Sequence, residues 1–201
     1  MSGTRRRQEA RLASRKSARR RNLLLTAGAV GAVALVGAAA LFGGPRGGAT
    51  VEGTAALGEP APEVRLTDFE GQEFSLEEYK GRPVVVNFWA SWCPFCAAEM
   101  PDFEKVHRSV ADDVAFLGID QCESCQGGSA DAARELARET GVTYRLAEDP
   151  DGSVFVAFGG SSMPTTVFID AEGRVVEHIG GMLSESQLRD YISRLFGVGD
   201  A

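Results

Sequence analysis

The chain has 201 residues and a formal net charge of −7, enough for one domain and a terminal segment. The charge is uneven: residues 1–22 carry nine arginines and lysines against Glu9 alone, a net +8, so the rest of the chain carries −15. So acidic a body argues against nucleic acid as a partner, and only two histidines, His107 and His178, neither near a cysteine, argue against histidine-based catalysis.

Residues 23–42 form an uncharged run in which Thr26 is the only clearly polar side chain. Twenty such positions match the length of one membrane-spanning helix. The basic residues 1–22 in front of it predict a cytoplasmic N-terminus and an acidic domain on the outer side. The Arg-, Ala- and Gly-rich style fits a bacterial cell membrane, crossed once. The preferred reading is a retained signal-anchor. The alternative is a cleaved signal peptide, because Ala38-Ala39-Ala40 fits a small-residue cleavage site. Residues 43–57 are rich in Gly, Ala and Thr and read as a flexible tether. The folded domain is expected over 58–201.

Within that domain, 64–68 alternates, 69–72 turns and 73–75 resumes, which predicts a hairpin at one end of a sheet. Ser75 and Glu78 have capping-box spacing before a short turn through Tyr79. The run 84–90, Val-Val-Val-Asn-Phe-Trp-Ala, has no period-2 alternation and reads as a strand covered on both faces. A helix over about 95–109 follows, with Pro101 inside it. A second buried strand is predicted over 114–120. Ser129 caps an amphipathic helix ended by Gly141. A short strand at 144–146, a helical turn at 154–158, a hairpin of 165–169 with 174–179, and a last helix over 184–196 complete the order. Strands alternating with helices imply a parallel core with an antiparallel edge.

The chemistry centres on Cys93-Pro94-Phe95-Cys96 at the end of the first buried strand. Pro94 suits the first position of a helix, which puts Cys93 at or near the helix N-terminus. Unpaired N–H groups and the positive end of the helix dipole favour a thiolate there. Cys96, three residues on, can close a disulfide with it. Cys93 is then the attacking thiol and Cys96 the resolving one. A structural disulfide or half of a metal site is the plainer alternative. Glu99 falls one turn beyond Cys96 on the same helix face, where it is either a solvated glutamate or a functional acid. Trp92 reads as a hydrophobe flanking the cysteines, and Trp89 as core.

The stretch Phe88-Trp-Ala-Ser-Trp-Cys93-Pro-Phe-Cys96-Ala-Ala-Glu99-Met-Pro101 resembles the membrane-anchored thioredoxin-like proteins of the TlpA, ResA and DsbE (CcmG) kind. Two further motifs carry the resemblance: Arg65-Leu-Thr-Asp-Phe-Glu-Gly71 with Ser75-Leu-Glu-Glu-Tyr-Lys-Gly81, and Met163-Pro164-Thr165-Thr166-Val-Phe-Ile-Asp170. The resemblance implies an α/β thioredoxin-like fold, a central mixed sheet flanked by helices with an N-terminal β-hairpin, preceded here by one transmembrane helix. It also implies a redox-active Cys93–Cys96 disulfide and no cofactor or metal. Carried over, Glu99 raises the pKa of the cysteines or passes a proton to Cys96. Met163-Pro164 is expected to be a cis bond lying against the disulfide, so Met163, Pro164, Thr165 and Trp92 form the substrate-binding surface.

Gln121-Cys122-Glu-Ser-Cys125 departs from that family pattern. Cys122 and Cys125 follow the second buried strand, at the same sheet edge as Cys93. Three readings stay open: an accessory disulfide, a second redox pair, or a four-cysteine zinc site with Cys93 and Cys96. The function expected is extracytoplasmic thiol–disulfide exchange with protein substrates, as a reductant in cytochrome c maturation, with apocytochrome c and a transmembrane electron donor or oxidant as partners. The alternatives are a disulfide-forming oxidase for exported proteins and a metal-binding chaperone on the same fold.

Overall fold

A computed structural model describes residues 49–121 and 128–199. The basic segment 1–22, the apolar run 23–42, and Cys122 and Cys125 lie outside the described residues. Among the described residues no helix is long and apolar enough to cross a membrane.

Eight strands form one sheet. They are β1 (Thr50–Glu52), β2 (Glu63–Asp68), β3 (Glu73–Ser75), β4 (Val84–Trp89), β5 (Ala115–Gln121), β6 (Arg145–Asp149), β7 (Thr165–Ile169) and β8 (Val175–Gly180). Four helices connect them: α1 (Pro94–Val110), α2 (Ala130–Thr140), α3 (Ser153–Ala157) and α4 (Glu185–Phe196). The order across the sheet is β1-β2-β6-β5-β4-β7-β8, with β3 paired to β2 alone. The pairs β4–β5 and β5–β6 are parallel; β4–β7, β7–β8 and β2–β6 are antiparallel. This is the mixed sheet and parallel core that the alternation of elements implies.

All six residues of β4 are buried. Val85 and Trp89 face a core shared with α1, α2 and α4, while Val84, Val86 and Phe88 face a second core closed by α3 and the β2–β3 hairpin. The run lacks alternation because both faces are apolar environments. Gly118 in β5 is set by packing: a Cβ there would lie 2.5 Å from Leu146 Cδ2 and 3.1 Å from Trp89 Nε1.

Helix boundaries follow the local chemistry. Ser75 and Glu78 form the expected capping box on a 3₁₀ turn at Leu76–Tyr79. Ser129 caps α2 by accepting from Ala132 N, and Gly141 ends it in the left-handed region. Ser184 and Gln187 form a second capping box at α4.

Part of the segment read as a tether is a strand of the sheet. Thr50–Glu52 pairs antiparallel with β2, and Ala55 N–H donates to Ala157 O at 2.6 Å. Val51 is half-buried against the second core, which is what holds this strand to the sheet.

Candidate active site

Cys93 sits just past the C-terminal end of β4 and is the N-cap of α1, with Pro94 at the first helical position. Its extended backbone turns the chain from strand to helix, and its sulfur accepts the Cys96 N–H at 3.2 Å. Cys93 and Cys96 form a disulfide. Cys96 is fully buried, whereas Cys93 borders a groove of about 480 Å³ shared with Trp92, Phe95, Gln121, Phe155, Ser162 and Met163. Cys93 is itself 3% exposed, so the two sulfurs differ in that Cys93 alone lines the groove. Phe95, between them, is 62% exposed. Another depression, around Pro60, Arg65 and Tyr79, lies at the opposite end of β4 from the sulfurs.

Glu99 is 1% exposed, so the solvated alternative is excluded. Asn87 Nδ2–H donates to Glu99 Oε1 at 2.8 Å, and Leu183 N–H donates to Oε2 at 3.0 Å. Burial pushes the Glu99 carboxyl up to about 7, against the opposing pull of those two donors. The acid can therefore change protonation near neutral pH.

The Met163-Pro164 bond is cis, as expected. Pro164 O accepts Gly181 N–H at 2.8 Å, which joins this loop to the segment that carries Leu183. Met163 lines the groove beside Cys93. Thr165 does not face substrate as expected. It is buried, and its hydroxyl donates to Ser162 O at 2.7 Å, shaping the loop from beneath. Trp92 flanks the disulfide and Trp89 is core, both as read from the sequence. His107 meets Phe116 at a tilt and Tyr144 edge-on, and burial lowers its pKa. Sequence reasoning missed Asn87, which reads as strand filler, Phe95, and the backbone N–H of Leu183. Among the described residues no cluster of ligating side chains could hold a metal ion.

A disulfide-forming Cys-x-x-Cys at a helix N-terminus, beside a cis-proline loop on this sheet, defines a class: thiol–disulfide oxidoreductases with a thioredoxin-like fold. Residues 57–178 match the AhpC/TSA family, and the chain belongs to it. It is 31% identical over 136 residues to the thiol-disulfide oxidoreductase ResA of Bacillus subtilis, covering 68% of this chain and 74% of that protein. The structure of MTB dsbF, in its mixed oxidized and reduced forms, superposes with a TM-score of 0.59 at 30% identity, covering 65% of this chain and 93% of that one. A secreted Mycobacterium tuberculosis disulfide oxidoreductase homologous to E. coli DsbE gives 0.58 at 25% identity, covering 65% and 95%. The protein is a thiol–disulfide oxidoreductase acting on protein thiols and disulfides.

Proposed function

We propose that the protein reduces disulfides in exported proteins, apocytochrome c among them, from the outer face of a bacterial membrane. Residues 23–42 are the anchor and residues 1–22 stay in the cytoplasm. The reaction conserves two electrons. The Cys93 thiolate attacks a substrate disulfide, forming a mixed disulfide and releasing one substrate thiolate. Cys96, deprotonated, attacks the Cys93 sulfur, closes the Cys93–Cys96 disulfide and releases the second. Glu99 is the group that takes the Cys96 proton. A transmembrane thiol carrier then returns the pair to the dithiol.

The observation that carries the reductant reading is Glu99 itself: a buried carboxylate one turn from Cys96 opposes a second negative charge on sulfur. Destabilising the thiolate destabilises the reduced form, and the pair gives up electrons more readily. The second reading, disulfide formation, draws on the Cys96 N–H donated to Cys93 Sγ, which favours the thiolate and pulls the other way. The accessory reading of Cys122 and Cys125 makes them dispensable for this exchange.

The test is single-turnover reduction of a disulfide-bonded Cys-x-x-Cys-His peptide by the reduced full chain, in wild type and in Cys122→Ser plus Cys125→Ser. Stoichiometric release of peptide thiols in both supports the reductant and accessory readings. Oxidation of the reduced peptide by the disulfide form, with no reverse reaction, supports the oxidase.

A further inference from the structure

We propose that Asn87 is a positioning residue for thiol–disulfide exchange: from inside β4 its side-chain amide holds the Glu99 carboxyl in place beyond Cys96. The inference rests on the reading of Glu99 as the proton carrier.

Asn87 is the one polar residue in a strand whose six residues are all buried. Its Nδ2–H donates to Glu99 Oε1 at 2.8 Å, while its own Oδ1 has no hydrogen-bond partner among the described residues. Its cross-strand neighbour on the same face, Thr166, also carries a buried hydroxyl with no such partner. Unpaired buried polar atoms cost stability. An apolar side chain would continue the run of valines, so the strand itself does not call for an amide here. Glu99 does. With Leu183 N–H on Oε2, each carboxyl oxygen has one fixed donor, and the carboxyl is pinned between the central strand and the loop before α4.

The titratable groups on the surrounding elements are otherwise engaged. On α1 Cys93 and Cys96 are held as a disulfide, Asp102 pairs with Lys105, and Glu104 is bound by Arg108 and Thr143. From α4 comes Glu185, paired with Arg189. On β8 Glu177 pairs with Arg194, and on β5 Asp120 is buried opposite Trp89. Tyr144, fully buried, stays neutral because burial raises its pKa. The two N–H donors are what favour the ionised form of Glu99.

The test follows the Glu99 carboxyl carbon by NMR against pH in the oxidised full chain, in wild type and Asn87→Leu. The same titration records the Asn87 side-chain amide of the wild type, which needs no variant to fold. Removing the donor is expected to raise the midpoint by about one pH unit, a tenfold change in the ionisation ratio. The wild-type amide should shift with the same midpoint as the carboxyl. Asn87→Leu removes an orphaned acceptor but leaves Glu99 Oε1 without its donor, so its thermal midpoint should fall, and fall further at a pH where Glu99 is ionised. An unmoved carboxyl midpoint, or a wild-type amide indifferent to pH, overturns the proposal. The rate at which Cys96 resolves a mixed disulfide on Cys93, followed against pH, separates the two layers. If Glu99→Gln leaves that profile unchanged, the proton-carrier reading fails and the positioning role with it. If Glu99→Gln changes it and Asn87→Leu does not, only the role of Asn87 fails.

Discussion

Cys93 and Cys96 share a disulfide but not an environment. Cys93 borders the groove, and Cys96 lies wholly within the protein beneath it. Cys96→Ser should therefore still attack a disulfide substrate and stop at a covalent mixed disulfide, visible on a non-reducing gel. Cys93→Ser should form no such species. Glu99 makes a separate prediction about stability. Its carboxyl titrates at about 7 in the folded protein against an ordinary value of 4.5. The native state thus holds a proton that the unfolded chain has already lost. The stability this gives is fully present below the unfolded value, falls as pH rises through the folded value, and is gone above it. The full swing is about 3 kcal/mol. In Glu99→Gln that slope should disappear, so urea midpoints taken at about pH 5 and about pH 8 should differ less than in wild type.

At the scale of elements, much of the fold was legible. The unbroken apolar runs at β4 and β5 marked strands covered on both faces. Ser129, Gly141, Ser184 and the Ser75–Glu78 pair marked helix ends through chemistry that acts within a few residues. β1 was missed because three residues in a Gly- and Thr-rich stretch carry no period, and only pairing with β2 makes them a strand. The antiparallel β2–β6 contact was equally invisible, since register between distant strands is a tertiary property. In the site, the cysteines were legible from spacing. The donors to Glu99 were not: Asn87 looked like one more strand residue, and Leu183 acts through a backbone N–H 84 positions away. Thr165 was misjudged because a hydroxyl beside the proline gives no sign of which way it turns. Gly118 tests the packing account of the sheet. Gly118→Ala should cost about 1–3 kcal/mol through contact with Leu146, Trp89 and Tyr144, read as a lower urea midpoint.

Across the whole molecule, the sheet brings three separate stretches of chain to one edge. β4 delivers the cysteines, β5 ends at Gln121, and the loop before β7 supplies Met163, all around one groove. The site is built at the C-terminal ends of parallel strands, while β1 and the β2–β3 hairpin extend the sheet sideways beyond β6. The proposed anchor predicts that the full chain stays with membranes through high-salt and carbonate washes and leaves only with detergent; release by salt would contradict it. The central claim concerns the direction of electron flow, and the equilibrium reduction potential of Cys93–Cys96 tests it most directly. It should be taken in glutathione buffers on the full chain with Cys122 and Cys125 replaced by Ser. A protein-disulfide reductant requires a potential below about −240 mV; a value above about −180 mV would make the protein a disulfide donor and contradict the account.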